Sequence, residues 1–407
     1  MALNTFYFFI FLFAFFYRYK KNNGAALINP ILYLVSFSFA YLIVPIFVIY
    51  GVGLNNKMLN YSEYSDIINC VISTYFFIVF VFFYLLSKDP LVSFKLEAES
   101  HSSILPYVIA TILSFYFILI SISYGSELSG IYLRSDKYIF FSSVILNEHP
   151  KVLLLSKVLG VLLAFLCLRY RHFFVALLLS SPVIYFDFII KGRSMTLYVL
   201  LPSILIFCFY YYKYFIYVLM SVFILLGCLS LFRETSYGSS FFTVFGEFFA
   251  TRESTSYLID IDAHSNMIQL LSNIIFSLFP SFVGNIFNPN AFTSYTKELE
   301  ALINNDTIGF SGNIVGESYY YGEGLFSAFA PFCIGWIYFV ISQIRLINYY
   351  RFLLVIMLCS YTIWFLRSEF FVTFGALIFM LLVYVYPILF ISDRFKIFPS
   401  RKVIDKI

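Results

Sequence analysis

The sequence predicts an all-α polytopic membrane protein with about eleven transmembrane helices and one large outer loop containing amphipathic helices. Composition is the first observation behind this. Of 407 residues, 61% are apolar and 12% charged, with a mean hydropathy of +0.88, against roughly 25% charged in ordinary soluble domains. So few ionisable groups cannot make a water-soluble shell around that much apolar surface. The second observation is that the apolar residues gather into runs close to the ~20 residues that a helix needs to cross hydrocarbon. The third is that nearly all charges fall between those runs. The net charge of +4 is small and offers no basic field for nucleic acid.

In chain order the runs lie at about 3–17, 31–51, 67–87, 103–123, 151–168, 173–190, 195–212 and 214–232, then 325–344, 350–366 and 370–390. This divides the chain into a bundle of eight spans (1–232), a large loop (233–324), three last spans (325–390) and a basic tail (391–407). The first run has no basic residue before it and Arg18, Lys20 and Lys21 after it. That is the reverse of a cleavable signal peptide, and it reads as a retained span with its N-terminus outside. Connectors as short as Arg169–His172 and the turn at Lys213 imply adjacent antiparallel helices. Cys70, Cys167, Cys208, Cys228, Cys333 and Cys359 all sit inside apolar runs. They read as buried thiols, with neither a disulfide framework nor metal-ligand spacing.

Orientation follows from the Lys and Arg residues between spans. Of the 26, 15 fall on one side, including Arg18, Arg169, Arg345, Arg351 and the tail, and 10 on the other, with Lys157 inside a span. The richer side is assigned to the cytoplasm. Of the 22 acidic residues 17 fall on the outer side, so polar chemistry is concentrated there. Within the large loop, residues 266–284 are apolar enough to suggest a twelfth span. Counting them as one would turn Arg345, Arg351 and the basic tail outward. They read instead as part of an amphipathic helix, with Leu258, Ile261, Ile268, Leu271, Ile275 and Leu278 on one face and Asp260, His264 and Asn273 off it. Such a helix lies along the membrane or re-enters it against protein.

Two constellations carry candidate chemistry. The first is a set of outer-side arginines. Arg193 and Arg367 stand in turns of almost no length between spans, Arg233 follows a span directly, and Arg134 and Arg252 lie in outer loops. A guanidinium offers a planar fork of donors that matches phosphate oxygens, so several at headgroup depth suit a lipid-linked diphosphate. Each taken singly also reads as an interfacial anchor, but anchoring arginines prefer the other side. The second constellation closes the loop, in Gly309-Phe310-Ser311-Gly312-Asn313-Ile314-Val315-Gly316-Glu317-Ser318-Tyr319-Tyr320-Tyr321-Gly322-Glu323-Gly324. A carboxylate among glycines and aromatic faces suits a sugar, although an interfacial turn with a tyrosine belt has the same composition. Glu317 leads as a general base, followed by Glu247 and His264, with Asp260 behind them. Glu247 also reads as a helix-surface carboxylate and His264 as a solvated side chain. Asp260, Asp262, Glu298 and Glu300 read as a solvated face or as partners for sugar hydroxyls. They lack calcium-loop spacing, and neither a structural metal nor a cofactor is expected.

The segment GFSGNIVGESYYYGEG, which opens a span, resembles the bacterial O-antigen polymerase family, with Glu317 and Tyr319 at the family's Glu-x-Tyr. Gly192-Arg193-Ser194 is similar to the family's Gly-x-Arg segment between central spans. The family's Asn-Phe-Gly after the tyrosine is replaced by Tyr321-Gly322, one residue shorter. The resemblance implies a multi-pass protein of the bacterial inner membrane, its N-terminus and large loop periplasmic and its C-terminus cytoplasmic. It implies an inverting glycosyltransferase that joins oligosaccharide repeat units carried on undecaprenyl diphosphate. Arg193, Arg233, Arg367, Arg134 and Arg252 would hold the diphosphate, and Tyr319 and Tyr320 the sugar. A chain-length regulator protein is a further implied partner. The same architecture admits a lipid-linked oligosaccharide flippase or transporter, an O-antigen ligase, or a non-catalytic assembly protein. Against transport, the span interiors are nearly free of charge.

Overall fold

The computed structural model describes residues 1–52, 59–92, 104–131, 134–190, 192, 194–221, 246–277, 295–303 and 312–394. These are helical throughout, with no extended element beyond one isolated bridge between Val92 and Leu346. Eight helices are long and apolar enough to cross a membrane: α1 (Ala2–Asn22), α2 (Pro30–Gly51), α3 (Glu63–Leu86), α4 (Leu105–Gly130), α6 (Val152–Tyr170), α14 (Gly324–Ser342), α15 (Tyr349–Arg367) and α16 (Phe370–Ser392). Between α4 and α6 lies α5, which begins at Arg134–Phe140. Two of the expected spans are short: α7 (Phe173–Ile189) and α8 (Ser194–Tyr210) have 17 residues each. The expected span 214–232 is described only to Ser221, where α9 (Tyr212–Ser221) leaves α8 at a bend of 114°.

The chain packs as two compact units, each discontinuous in sequence. The first contains Met1–Pro90, Leu219–Ile344 and Tyr361–Phe379. In it α2 starts on Asn29, whose side-chain oxygen accepts the Ile31 N–H at 3.1 Å, with Pro30 in the first turn where its missing N–H costs nothing. Ser62 caps α3 in the same way by accepting from Ser65 N–H. At the far end of α3 the guanidinium of Arg18 donates to the Tyr84 and Ser87 carbonyls at 2.8 Å each and lies over the Tyr84 ring. It thereby satisfies carbonyls that a helix end leaves without partners. Helix α14 approaches α3 closely at Gly335, where any side chain would run into the Phe83 ring.

The second unit contains Leu91–Val218, Arg345–Ser360 and Met380–Ile407. Its centre is α6, buried over most of its length. Gly160 lets α6 meet the α8 backbone at Tyr198. Helix α6 stops at Arg171 in the left-handed conformation, φ 56°, whose N–H closes the last turn on Cys167 O.

The described residues of the large loop supply four short helices to the first unit: α10 (Gly246–Asp260), α11 (Met267–Ser277), α12 (Tyr295–Ile303) and α13 (Ile314–Tyr320). The single amphipathic helix expected from Leu258 to Leu278 is instead two. Asp262, left-handed at φ 49°, ends α10, and the turn is pinned by Ser265 N–H donating to Tyr320 O at 2.6 Å. The break rotates the two halves independently. Leu258 faces the core, whereas Ile268, Leu271 and Ile275 point outward and Asn273, expected on the polar side, is fully buried. Leu278 lies outside the described residues.

Candidate functional site

The described polar residues of the first unit converge in two buried groups. One is built on α10, whose run Thr251-Arg252-Glu253-Ser254-Thr255-Ser256 is at most 3% exposed at every residue. A polar helix can be enclosed in this way only if its groups are paired. Thr251, Ser254 and Thr255 return their hydroxyls to carbonyls of the same helix. Glu253 accepts Leu59 N–H at 3.1 Å, and Asn69 donates to Arg252 O and to the Ser256 hydroxyl. At the centre, Arg252 Nη2 forms an ion pair with Asp66 Oδ1 and lies 3.1 Å from Cys70 Sγ. Asp66 also accepts from the Tyr50 hydroxyl at 2.6 Å and from Ser256 at 2.9 Å. Among the described residues Arg252 Nε and Nη1 have no hydrogen-bond partner.

The other group is built on α13. Asn313 caps this helix by accepting from Val315 and Gly316 N–H, and its amide donates to Thr251 O at 3.1 Å, which ties α13 to α10. Gly316 is required where α13 passes the Tyr295 hydroxyl and Thr255 Oγ1: an added Cβ would stand 2.9 Å from the latter and closer still to the former. One residue on, Glu317 is 1% exposed. Its Oε2 accepts Phe370 N–H at 2.6 Å and its Oε1 accepts Phe371 N–H at 3.4 Å, which are the first donors of α16 and carry its positive end. Burial pushes the Glu317 carboxyl well above its ordinary range, and the nearby Glu369 carboxylate adds to the shift against the two backbone bonds. Tyr295 and Tyr321 are raised too, first by burial and then by Glu317 and Glu369. Tyr321 accepts from Asn273 Nδ2 at 2.9 Å.

Chemically this second group is a pair of enclosed carboxyls, of which one takes up a proton readily, beside phenols that stay protonated. It can accept a proton from a hydroxyl and hold it. No protein-family model, curated protein or solved structure matches the chain. Among the described residues no group of three or more His, Cys, Asp or Glu side chains is placed to hold a metal ion.

The remaining candidates fall as follows. Tyr319 is half-buried and donates to Asp262 at 3.2 Å. Tyr320 is buried against Tyr295 and Tyr321 in a core with Leu258, Leu270 and Leu299, so its ring faces protein. His264 is on the turn between α10 and α11, its Nδ1 2.9 Å from Asp262 O. Arg367 ends α15, half-buried, where a cation also complements the helix dipole, and Glu369 follows two residues later. Glu247 stands in the first turn of α10 and Arg134 opens α5. Arg193 and Arg233 lie outside the described residues.

Sequence reasoning missed Asp66, Tyr295 and Glu369. Asp66 carried a signal, since it is an acid placed directly at the start of the apolar run 67–87. Glu369 had one as well: Arg367-Ser368-Glu369 is the whole connector between two spans. Tyr295 had none, because its role depends on two glycines some twenty residues away.

Proposed function

We propose that this chain polymerises oligosaccharide repeat units carried on undecaprenyl diphosphate, acting as an inverting glycosyltransferase at the outer face of the bacterial inner membrane. In this reading eleven spans surround one periplasmic loop, 233–324, with the N-terminus periplasmic and the C-terminus cytoplasmic. The loop builds O-antigen or a similar surface polysaccharide. The observation that carries it is Glu317: a buried carboxyl with raised proton affinity, held on span ends within the part of the chain that resembles the polymerase family.

A hydroxyl of the incoming lipid-linked unit attacks the anomeric carbon of the growing chain. The new glycosidic C–O bond forms as the bond from that carbon to the diphosphate oxygen breaks. The hydroxyl proton passes to Glu317, and undecaprenyl diphosphate departs with its electron pair. Positive charge must stand where negative charge develops. Arg367 takes that role from the end of α15, and Arg193, Arg233 and Arg134 are the further arginines that the sequence offers for a diphosphate. Arg252 has already given one guanidinium nitrogen to Asp66. Its part is to hold the α10 platform.

The test is purified protein with a lipid-linked repeat unit, followed for a ladder of products. A ladder that disappears in Glu317→Gln and is impaired in both Arg193→Ala and Arg193→Lys supports the reading, since a point charge does not replace a bidentate fork. A single shifted product would make the chain a ligase. Substrate that changes leaflet unextended would make it a flippase, and either outcome overturns polymerisation.

A further inference from the structure

Helix α11 is amphipathic in the wrong sense for an element bathed in water. Ile268, Leu271 and Ile275, at helical steps of three and four, form an outward stripe with exposures of 74, 55 and 54%. Its other side, bearing Leu270, Asn273 and Ser277, is buried. An inward side that holds the polar Asn273 and Ser277 beside Leu270 and an outward side that is aliphatic is the pattern of a helix solvated by hydrocarbon.

Its neighbours give its level relative to the spans. The Met267 sulfur lies at Gly322, immediately before α14 begins, 3.7 Å from where a Cβ would stand. At the other end Ser277 rests on Gly375, with Ile274 O 3.6 Å from the corresponding Cβ position. Gly375 is five residues beyond Phe370, the first residue of α16, or about 7.5 Å down that helix at 1.5 Å per residue. Helix α11 thus starts at the mouth of one span and finishes more than a turn along another. Helix α14, at whose mouth α11 begins, is likewise apolar outward, with Leu325, Phe329 and Trp336 exposed.

We infer that α11 is a re-entrant helix. It descends into the outer leaflet beside α16, with Ile268, Leu271 and Ile275 in contact with lipid acyl chains and Ile275 the deepest. Its inner side forms the wall between the bilayer and the Glu317 cluster through the Asn273–Tyr321 bond. This placement does not depend on which reaction the protein catalyses.

The test uses the full chain in lipid nanodiscs, with the six native cysteines replaced and single spin labels at positions 268, 271 and 275. Labels at Phe329 and His264 serve as lipid and water references. Accessibility to oxygen should exceed accessibility to a water-soluble nickel chelate several-fold at all three positions, and the ratio should rise from 268 to 275 toward that at Phe329. Ratios like that at His264 would overturn the proposal in favour of an aqueous loop. Equal ratios at all three would mean a helix lying flat. Exclusion of both relaxants would mean a protein partner. An otherwise unaltered chain carrying p-benzoylphenylalanine at Leu271 gives a second readout in native membranes. Phospholipid adducts on irradiation support insertion, and adducts to protein alone refute it.

Discussion

The first unit buries charge in two places, at Arg252 and at Glu317, and it does so by opposite means. At α10, Arg252 is enclosed together with Asp66, and Tyr50 and Ser256 fill the remaining acceptor positions of the carboxylate. At α13, Glu317 is enclosed with only backbone N–H donors and a second carboxyl, Glu369, for company. A buried cation with its counter-ion is electrically settled and holds two helices together. A buried acid beside a like charge remains responsive to protons. In the function proposed above the first group is structural and the second chemical, although Arg252 and Glu317 were both site candidates in the sequence.

The largest effect that separates them is on activity. Glu317→Gln keeps an acceptor for the α16 donors but abolishes proton uptake, so turnover in the ladder assay should fall about 10²- to 10⁴-fold, the usual worth of a general base. Wild-type activity in that variant would reduce Glu317 to a helix cap and dissolve the contrast. The same variant sharpens it through pH. Because the folded-state pKa of Glu317 is raised, the native state binds its proton more tightly than the unfolded chain does. The associated stability is complete below the ordinary carboxyl range and is lost as pH rises through the folded value. Thermal unfolding of the wild type should therefore decline from acidic toward neutral pH over a window in which Glu317→Gln stays flat.

The ion pair should behave in the reverse manner. Asp66→Ala leaves a buried guanidinium without its counter-ion and should cost about 3–5 kcal/mol. Joint replacement, Asp66→Leu with Arg252→Met, should recover much of that loss. Unfolding measurements on the two single variants and the double variant give the coupling. Single variants that lose activity but not stability would move Arg252 into the binding site. A smaller effect is expected at Gly316→Ala, whose methyl would press on Tyr295 and Thr255 and cost about 1–3 kcal/mol by overpacking.

How much of this was legible in the sequence depends on range. Eight of the expected spans were, because ~20-residue apolar runs need only be counted. Glu317 was, because glycines and aromatics frame it locally. The break at Asp262 was not: the apolar spacing runs through it, and the left-handed turn is fixed by the distant Tyr320 carbonyl. Burial of Arg252 was hidden for a related reason. Six polar residues in a row read as a loop surface unless Asn69, Asp66 and Leu59 are known to lie opposite. The bend between α8 and α9 at Tyr211 escaped as well, since two apolar runs flanking Lys213 look the same whether the second turns back or aside.

The smallest effect belongs to His264, and it tests the comparison from outside. If proton chemistry resides with Glu317 because that carboxyl is enclosed, an exposed imidazole on the adjacent turn should be dispensable. Its Nδ1 lies 2.9 Å from the Asp262 carbonyl, a contact that water replaces at little cost. His264→Ala should therefore change stability by no more than about 0.5 kcal/mol, as surface substitutions usually do, and leave the product ladder and its pH profile intact. A large loss in turnover with normal folding would show that the base is the exposed group. Glu317 and Glu369 would then be a second structural device, differing from the Arg252 pair only in the sign of what they bury.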